Sequence, residues 1–389
     1  MAEVSEELKV QHAEKELIEG ILRDHLSGGN AIGLWRLPGA LKKNLIICTE
    51  GIQFLDDVTI EDLDPGFAFA PFDSRKKKLF LKANKSFSIE NGEITPNEPH
   101  FQESNNSRSK VEFYPSTPGN IAYSNSKDYI DLVKRAISQI EAGIFEKLVP
   151  SRCKQIELPA TFDLLDTFNK LCTKYPNAFV SLVSAPEVGT WIGASPELLV
   201  SVDGQMRFKT VAVAGTQALH PQTNLKHLAW TQKEIEEQAL VSRYIVNCFK
   251  KIRLREFTEL GPKTWQAGNL VHLKTEFEVD MVATNFSQLG STMLKLLHPT
   301  SAVCGMPRED SIAFIETHEP FDRSFYSGFL GPVNFENETS LYVNLRCMQW
   351  CKNKAVLFAG AGVTIDSIPE KEWEETELKM NTLLEVIHS

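Results

Sequence analysis

No apolar run in the 389-residue chain reaches the roughly 18 residues that a membrane-spanning helix needs, so no such helix is expected. Nor is there an excess of positive charge. Lysine and arginine number 41 against 51 aspartates and glutamates, a formal charge of −10. That balance argues against nucleic acid or an anionic membrane surface as a partner. A disulfide framework is missing too: the seven cysteines are scattered and odd in number, with no secretory signal ahead of them. They point to a reducing cytoplasm. Cys347 and Cys351 stand four apart, but no second Cys/His pair at zinc spacing lies nearby, so buried thiols are the better reading. Met1 to Glu7 is polar and not a targeting peptide. No internal repeat is visible. What is present is 42% hydrophobic and 24% charged, the balance of a soluble globular enzyme.

The hydrophobic pattern changes along the chain. Residues 5–26 carry Leu8, Leu17, Ile18, Ile21, Leu22 and Leu26 at helical spacing and stop before Gly28-Gly29. Short β-like runs follow at 31–37, 45–48, 67–72, 79–81, 87–89 and 111–113, separated by Asp, Asn, Gly and Pro as in an antiparallel sheet. Arg75 to Lys78 reads as a solvated basic turn, and 102–110 and 115–126 as polar linkers. From Ser126 onward the pattern predicts helices over 126–144, 161–175, 227–251, 286–297 and 308–317. Between them it predicts strands over 146–158, 178–184, 190–194, 195–202, 208–216, 270–283, 327–334 and 340–350. Helices and antiparallel-style strands mix without regular βαβ alternation, which predicts α+β rather than a doubly wound sheet. Residues 1–120 are strand-rich and 121–389 denser in helix, and the two are read as one integrated domain.

Near the end, Val356-Leu357-Phe358 reads as a buried strand. Gly360-Ala361-Gly362 follows with little side chain, so backbone there can approach a ligand closely. Ser367 and Pro369 mark a helix start, and Glu372, Glu375 and Lys379 then share one helix face. On the long helix Glu234 and Glu237 repeat the Glu-x-x-Glu spacing. A solvated acidic face is the simpler reading of either pair alone. If the two faces oppose, four desolvated carboxylates need a cation, and an all-oxygen set suits Mg²⁺. Lys147 lies in a mostly apolar strand, either snorkelling at an edge or desolvated and able to act as a base. Glu197, between Pro196 and Leu198-Leu199-Val200, is either a strand-end surface residue or a carboxyl that keeps its proton and can serve as a general acid. Arg346, flanked by apolar residues, needs an anionic partner. His272 and His298 could orient substrate oxygens, though a hydrogen-bonded core histidine is the commoner case.

These residues sit in a set of motifs: Lys147–Arg152, Ala194–Leu199, Val213–Thr216, Lys233–Gln238, His298–Ala302, Glu319–Gly328, Leu345–Cys347, Phe358–Gly362 and Glu372–Thr376 with Lys379. In this order the chain resembles the chorismate-utilising enzymes: isochorismate synthase, salicylate synthase, anthranilate synthase component I and aminodeoxychorismate synthase component I. The resemblance spans about 145–385; residues 1–120 match only in general character. It implies a two-layered antiparallel β-sheet sandwich with helices on the outside and the site between the layers. A lysine at the position of Lys147 implies water as the nucleophile, where ammonia-using members have glutamine. Ala214 stands where aminodeoxychorismate synthases commonly have a lysine. Isochorismate synthase is therefore expected, serving menaquinone or siderophore biosynthesis, with salicylate synthase or anthranilate synthase component I as alternatives. Tyr326, where some isochorismate synthases have phenylalanine, keeps the salicylate alternative open. The resemblance implies Lys147 as base and Glu197 as acid. It implies Mg²⁺ held by Glu237 and Glu375, with Glu234 and Glu372 in support. Gly215, Thr216, His272, Ala302, Arg346, Gly360 and Lys379 are the implied contacts to chorismate. The expected protein is a cytoplasmic monomer without a glutaminase subunit.

Overall fold

Strands such as 31–36, 179–185 and 189–195 are buried at every residue, so their sheet must be covered on both faces. The computed structural model describes residues 2–97, 111–117, 125–218, 225, 228–267 and 270–389, and shows how that covering is done. The helices are α1 (Ala2–Leu26), α2 (Ser126–Glu141), α3 (Leu164–Lys174), α4 (Gln232–Lys251), α5 (Leu289–Leu297), α6 (Arg308–His318) and α7 (Pro369–Ile387). The strands before α2 are β1 (Ala31–Arg36), β2 (Lys43–Cys48), β3 (Gln53–Leu55), β4 (Gly66–Ala70), β5 (Lys78–Lys82), β6 (Lys85–Glu90) and β7 (Glu93–Pro96). After α2 come β8 (Lys147–Leu148), β9 (Ser151–Glu157), β10 (Phe179–Ala185), β11 (Gly189–Ser195), β12 (Leu198–Val202) and β13 (Arg207–Ala218). The last are β14 (Thr258–Ala267), β15 (Leu270–Asp280), β16 (Gly305–Met306), β17 (Phe329–Val333), β18 (Thr339–Val343), β19 (Cys347–Cys351) and β20 (Lys354–Gly360).

Two antiparallel sheets of nine strands result, in the orders β7-β6-β2-β1-β10-β11-β19-β20-β9 and β14-β15-β13-β12-β18-β17-β4-β5-β3. Strands from the first hundred residues thus complete both sheets. The aromatic layer between the sheets includes Trp35, Phe67, Phe69, Phe179, Trp191, Tyr342 and Phe358. Phe179 and Tyr342 stack there at 4.2 Å, one from each sheet. The outer face of the first sheet is covered by α1, α3 and α7 through residues such as Leu22, Phe168 and Leu383. That of the second is covered by α4 and α5 through Val241, Phe249 and Met293. This is the two-layered α+β sandwich with outer helices that was expected. No helix among the described residues is long and apolar enough to cross a membrane.

Two of the chain's passages from one sheet to the other form adjacent corners. One is Pro196-Glu197, between β11 and β12; the other is 344–346, between β18 and β19. The expected single strand over 340–350 is broken by the second corner. There Arg346 takes a left-handed backbone, φ 50°. The two corners hold each other: the Val343 amide donates to the Glu197 carbonyl at 3.0 Å, and the Ala194 amide to the Arg346 carbonyl at 3.1 Å.

Other expectations change in detail. The strand expected over 146–158 is two, because Pro150 has no N–H for a ladder; β8 pairs with β16 and β9 with β20. The long helix starts at Gln232, after a capping box at Thr231; residues 228–230 of the expected span are not helical, and His227 lies outside the described residues. No strand forms at 111–113. The hairpin strand β14 was not foreseen, since its Gly261-Pro262 reads as a turn and its first half is exposed and polar. Lys78 of the basic run is buried at the start of β5, where its ammonium donates to the carbonyls of Asp56 and Ser74. The linkers read at 102–110 and over most of 115–126 fall outside the described residues.

Gly193 of β11 lies opposite Cys347 of β19, beside both corners. A Cβ built at Gly193 would lie 2.8 Å from the Cys347 Cβ and 2.9 Å from the Arg346 carbonyl oxygen. Gly193→Ala should therefore destabilise the protein by about 1–3 kcal/mol, the usual cost of overpacking. Urea unfolding measures this, and an unchanged midpoint at unchanged slope would contradict the close fit.

Candidate active site

The corner geometry puts Glu197 and Arg346 into one cavity. It is also lined by Gly215, Thr216, Glu237, His272, Ala302, Tyr326, Gly360 and Lys379. Glu197 is 6% exposed. Burial pushes its carboxyl up to about 7, against the opposing fields of Lys147 and Lys379. The Thr300 hydroxyl also favours the charged form of Glu197, but it has no well-formed hydrogen bond of its own. Arg346 is 8% exposed, and burial lowers its guanidinium to about 10.

Lys147 does not line the cavity; it stands one carboxylate behind the wall. It is 0% exposed, and its Nζ lies 2.9 Å from Glu237 Oε1 without hydrogen-bond alignment. The Glu237 carboxylate, which does line the cavity, covers it. Gly362 makes that arrangement possible, since a Cβ there would come within 2.1 Å of Glu237 Oε1 and 3.1 Å of the Lys147 side chain. So the low bulk of Gly360-Ala361-Gly362 serves close side-chain packing as well as ligand approach. Gly360 is similarly crowded by the Pro150 carbonyl and the Tyr326 hydroxyl, at 3.0 and 3.2 Å from an added Cβ.

The two acidic helices do meet. Lys233 of α4 lies between them: its Nζ is 2.5 Å from Glu372 Oε1, and the fields of Glu372, Glu375 and Glu237 all act on it. Each of the three carboxylates has a lysine against it: Lys147 at Glu237, Lys233 at Glu372, and Lys379 at Glu375 at 2.7 Å. Lys379 also donates to the Gly360 carbonyl at 2.8 Å. Glu372 is 1% exposed, and its Oε2 has no hydrogen-bond partner. Burial and then repulsion from Glu375 push its carboxyl up to about 7. Glu237 goes the other way: burial alone would raise it, but Lys147 and Lys233 more than offset that and hold it below the usual carboxylate range. An all-oxygen donor set with one buried carboxylate oxygen, Glu372 Oε2, left without a partner fits a hard divalent cation. Among the described residues no three His, Cys, Asp or Glu side chains already form a closed cation cage. Glu234 stands apart from this group. Its carboxylate closes the α4 capping box with Thr231 and accepts from the Gln217 amide at 2.9 and 3.0 Å. Ser367 likewise does not cap α7; its hydroxyl accepts from the Thr364 amide, and the N-cap is Ile368.

His272 is buried and neutral, its imidazole lowered to about 3 chiefly by burial. Its Nδ1 lies 2.9 Å from the Gly215 carbonyl. A carbonyl only accepts, so Nδ1 carries the proton and Nε2 is left as a bare, unpartnered acceptor. Gly215 has φ 68° at a break in the β13–β15 register, which turns the 215–216 backbone toward the cavity. Tyr326 was noted in the sequence only as a departure. Here its ring stacks on Phe358 at 5.3 Å, and burial raises its phenol to about 12 so that it stays a donor. Val149, Val303 and Leu345 line the cavity too, and nothing in an apolar side chain marks that role in a sequence. His298 packs elsewhere, donating from Nε2 to the Pro71 carbonyl at 3.0 Å as a core histidine.

The family profile described as "Chorismate binding enzyme" matches residues 76–388. Isochorismate synthase EntC of Escherichia coli (strain K12) is 31% identical over 260 residues, 66% of this chain and 66% of its own length. The aligned part thus falls just short of two thirds of that relative. Isochorismate synthase DhbC of Bacillus subtilis is 29% identical over 269 residues, 66% of this chain and 67% of its own length. Among solved structures, MenF, the menaquinone-specific isochorismate synthase from Escherichia coli, superposes with a TM-score of 0.73. It is 21% identical and covers 92% of this chain and 88% of that one. The matched segment holds every residue of the site, and the chain belongs to the chorismate-binding enzyme family.

Proposed function

We propose that the protein is a magnesium-dependent isochorismate synthase. The observation that carries the reading is Glu197, a buried carboxyl that keeps its proton up to about 7, facing a cavity shared with Arg346 and Lys379 and backed by the buried amine of Lys147. The names of EntC, DhbC and MenF support the same reaction. Arg346 and Lys379 would hold the pyruvyl and ring oxygens of chorismate. Lys147, in its neutral form and with Glu237 turned off it, takes a proton from water as the water oxygen bonds to C2. The ring double bonds shift, the C4–oxygen bond breaks, and Glu197 protonates the departing hydroxyl, which leaves as water. The proton on Lys147 then returns to Glu197 through solvent, so product and substrate are isomers. His272 offers Nε2 as an acceptor, and Gly215, Thr216, Ala302 and Gly360 offer backbone groups. Glu237 and Glu375 would hold Mg²⁺, with Glu372 in support; Glu234 would have to leave the helix cap to join them. The ion would neutralise the ring carboxylate.

Incubation of the protein with chorismate and Mg²⁺ should give isochorismate without salicylate or pyruvate, read by chromatography. Salicylate plus pyruvate would move the assignment to salicylate synthase, and anthranilate on addition of ammonia would move it to the ammonia-using branch.

Lys147→Ala and Glu197→Gln should each lower kcat by about 10²–10⁴, the usual worth of a positioned base or acid. Because Glu197 works protonated and its carboxyl is raised to about 7, the wild-type rate should fall as pH rises through about 7. A profile flat from 6 to 9 would remove Glu197 from the acid's role.

Chelation should abolish turnover and Mg²⁺ restore it. Independently of activity, Mg²⁺ should raise the unfolding temperature of wild type but not of Glu375→Gln. An equal rise in both would mean that the ion binds elsewhere.

A further inference from the structure

Glu319 and Arg323 take no part in the chemistry above, yet they form the most completely buried ion pair in the described structure, each side chain 2% exposed. Neither lines the cavity. Arg323 Nε donates to Glu319 Oε2 at 2.8 Å and Nη2 to Glu319 Oε1 at 2.5 Å. Two further donors go to backbone: Nη1 to the Val303 carbonyl and Nη2 to the Val149 carbonyl, both at 2.7 Å. The guanidinium lies over the Phe72 ring at 4.5 Å. Glu319 Oε1 also accepts from the Ser151 amide at 2.7 Å and the Ser151 hydroxyl at 3.0 Å.

The two carbonyls belong to neighbouring segments of the cavity wall, for the Val149 amide donates to the Cys304 carbonyl at 3.0 Å. Val149 lines the cavity two residues beyond Lys147, at the Pro150 break where β8 loses its ladder. Val303 lines it beside Ala302, three residues beyond Thr300, which acts on Glu197. Between β8 and β16 two residues on each strand are paired, with the Glu146 amide donating to the Met306 carbonyl at 2.8 Å and the Val149 amide to the Cys304 carbonyl at 3.0 Å; Arg323 adds a side-chain tie between the same short segments.

We infer that Arg323, clamped by Glu319, is a positioning residue that fixes the base-bearing strand against the segment facing the acid. A guanidinium is flat and its donors point in fixed directions, so one group joining both carbonyls sets their separation. A lysine would keep the charge but lose the fork. The pair acts through Lys147 and Glu197 and touches neither substrate nor cation. This inference rests on the proposed reaction, since it concerns the spacing of that reaction's two proton carriers.

The test compares wild type with Arg323→Lys, Arg323→Met and Glu319→Gln, using chorismate and Mg²⁺ well below each variant's unfolding temperature. Arg323→Lys should lower kcat by about 10- to 100-fold, the scale expected when reacting groups shift by up to an ångström, with KM changed less than about threefold. Glu319→Gln should act in the same direction. A variant that folds and turns over at the wild-type kcat, or that loses only in KM, would overturn the inference. Should Arg323→Met fail to fold, the lysine and glutamine variants decide. Wild-type protein that makes no isochorismate would sink the functional reading and the clamp's role with it. Wild-type turnover matched by Arg323→Lys would sink the clamp alone.

Discussion

Charge kept out of water has to be answered by opposite charge close at hand, and the site is built around that demand. Glu237, Glu372 and Glu375 approach one another across two helices, and Lys147, Lys233 and Lys379 answer them. The match is uneven. Glu237 feels Lys147, Lys233 and Lys379, and is held ionised despite its burial. Glu372 has Lys233 against it but also Glu375, and its second oxygen has no partner. Two glutamates of the same kind, in one cluster, are thus driven in opposite directions by their neighbours. The deficit lies on the α7 side, and it is there that an added positive charge would be most favourable.

The fold supplies this cluster by forcing the chain to turn. A strand that stayed in one sheet would point alternate residues at the aromatic layer and at the outer helices, and a charged residue would suit neither. Glu197 and Arg346 escape that choice because each sits where the chain leaves one sheet for the other. Ser195 and Val343 brace these corners, since the Ser195 hydroxyl donates to the Val343 carbonyl. Gly193 lets the two strands close beside them. The helices then bring the rest: α4 carries Lys233 and Glu237, and α7 carries Glu372, Glu375 and Lys379. Arg152 ties α7 to β9, stacking over Trp373 at 3.7 Å and donating to Thr376 at 2.6 Å.

Much of this was legible from spacing. Glu-x-x-Glu on two helices places each pair on one face whatever the tertiary fold, and the apolar neighbours of Lys147, Glu197 and Arg346 announce burial. The sequence could not say that Glu234 would face its own helix cap. A capping box and a ligand pair use the same residue types, and only the position of Thr231 at the helix start decides between them. Nor could it show that the run from 340 to 350 bends: β-rich composition continues through Asn344-Leu345-Arg346, and the break is imposed by bonds to Ala194 and Glu197, far earlier in the chain. The hairpin strand β14 was hidden for a related reason. Its pairing with β15 is backbone pairing at a sheet edge, which asks little of the side chains.

The contrast between Lys147 and Glu197 follows from which neighbour each was given. Both are buried, and burial favours the neutral form of Glu197. Glu197 keeps that preference because the cations acting on it do not overcome its desolvation. Lys147 has Glu237 directly against it, so its counter-charge is a side chain that itself faces the cavity. The surroundings of Glu197 are therefore set by the fixed corner between the sheets, whereas those of Lys147 are set by one carboxylate of α4 that lies between it and the cavity.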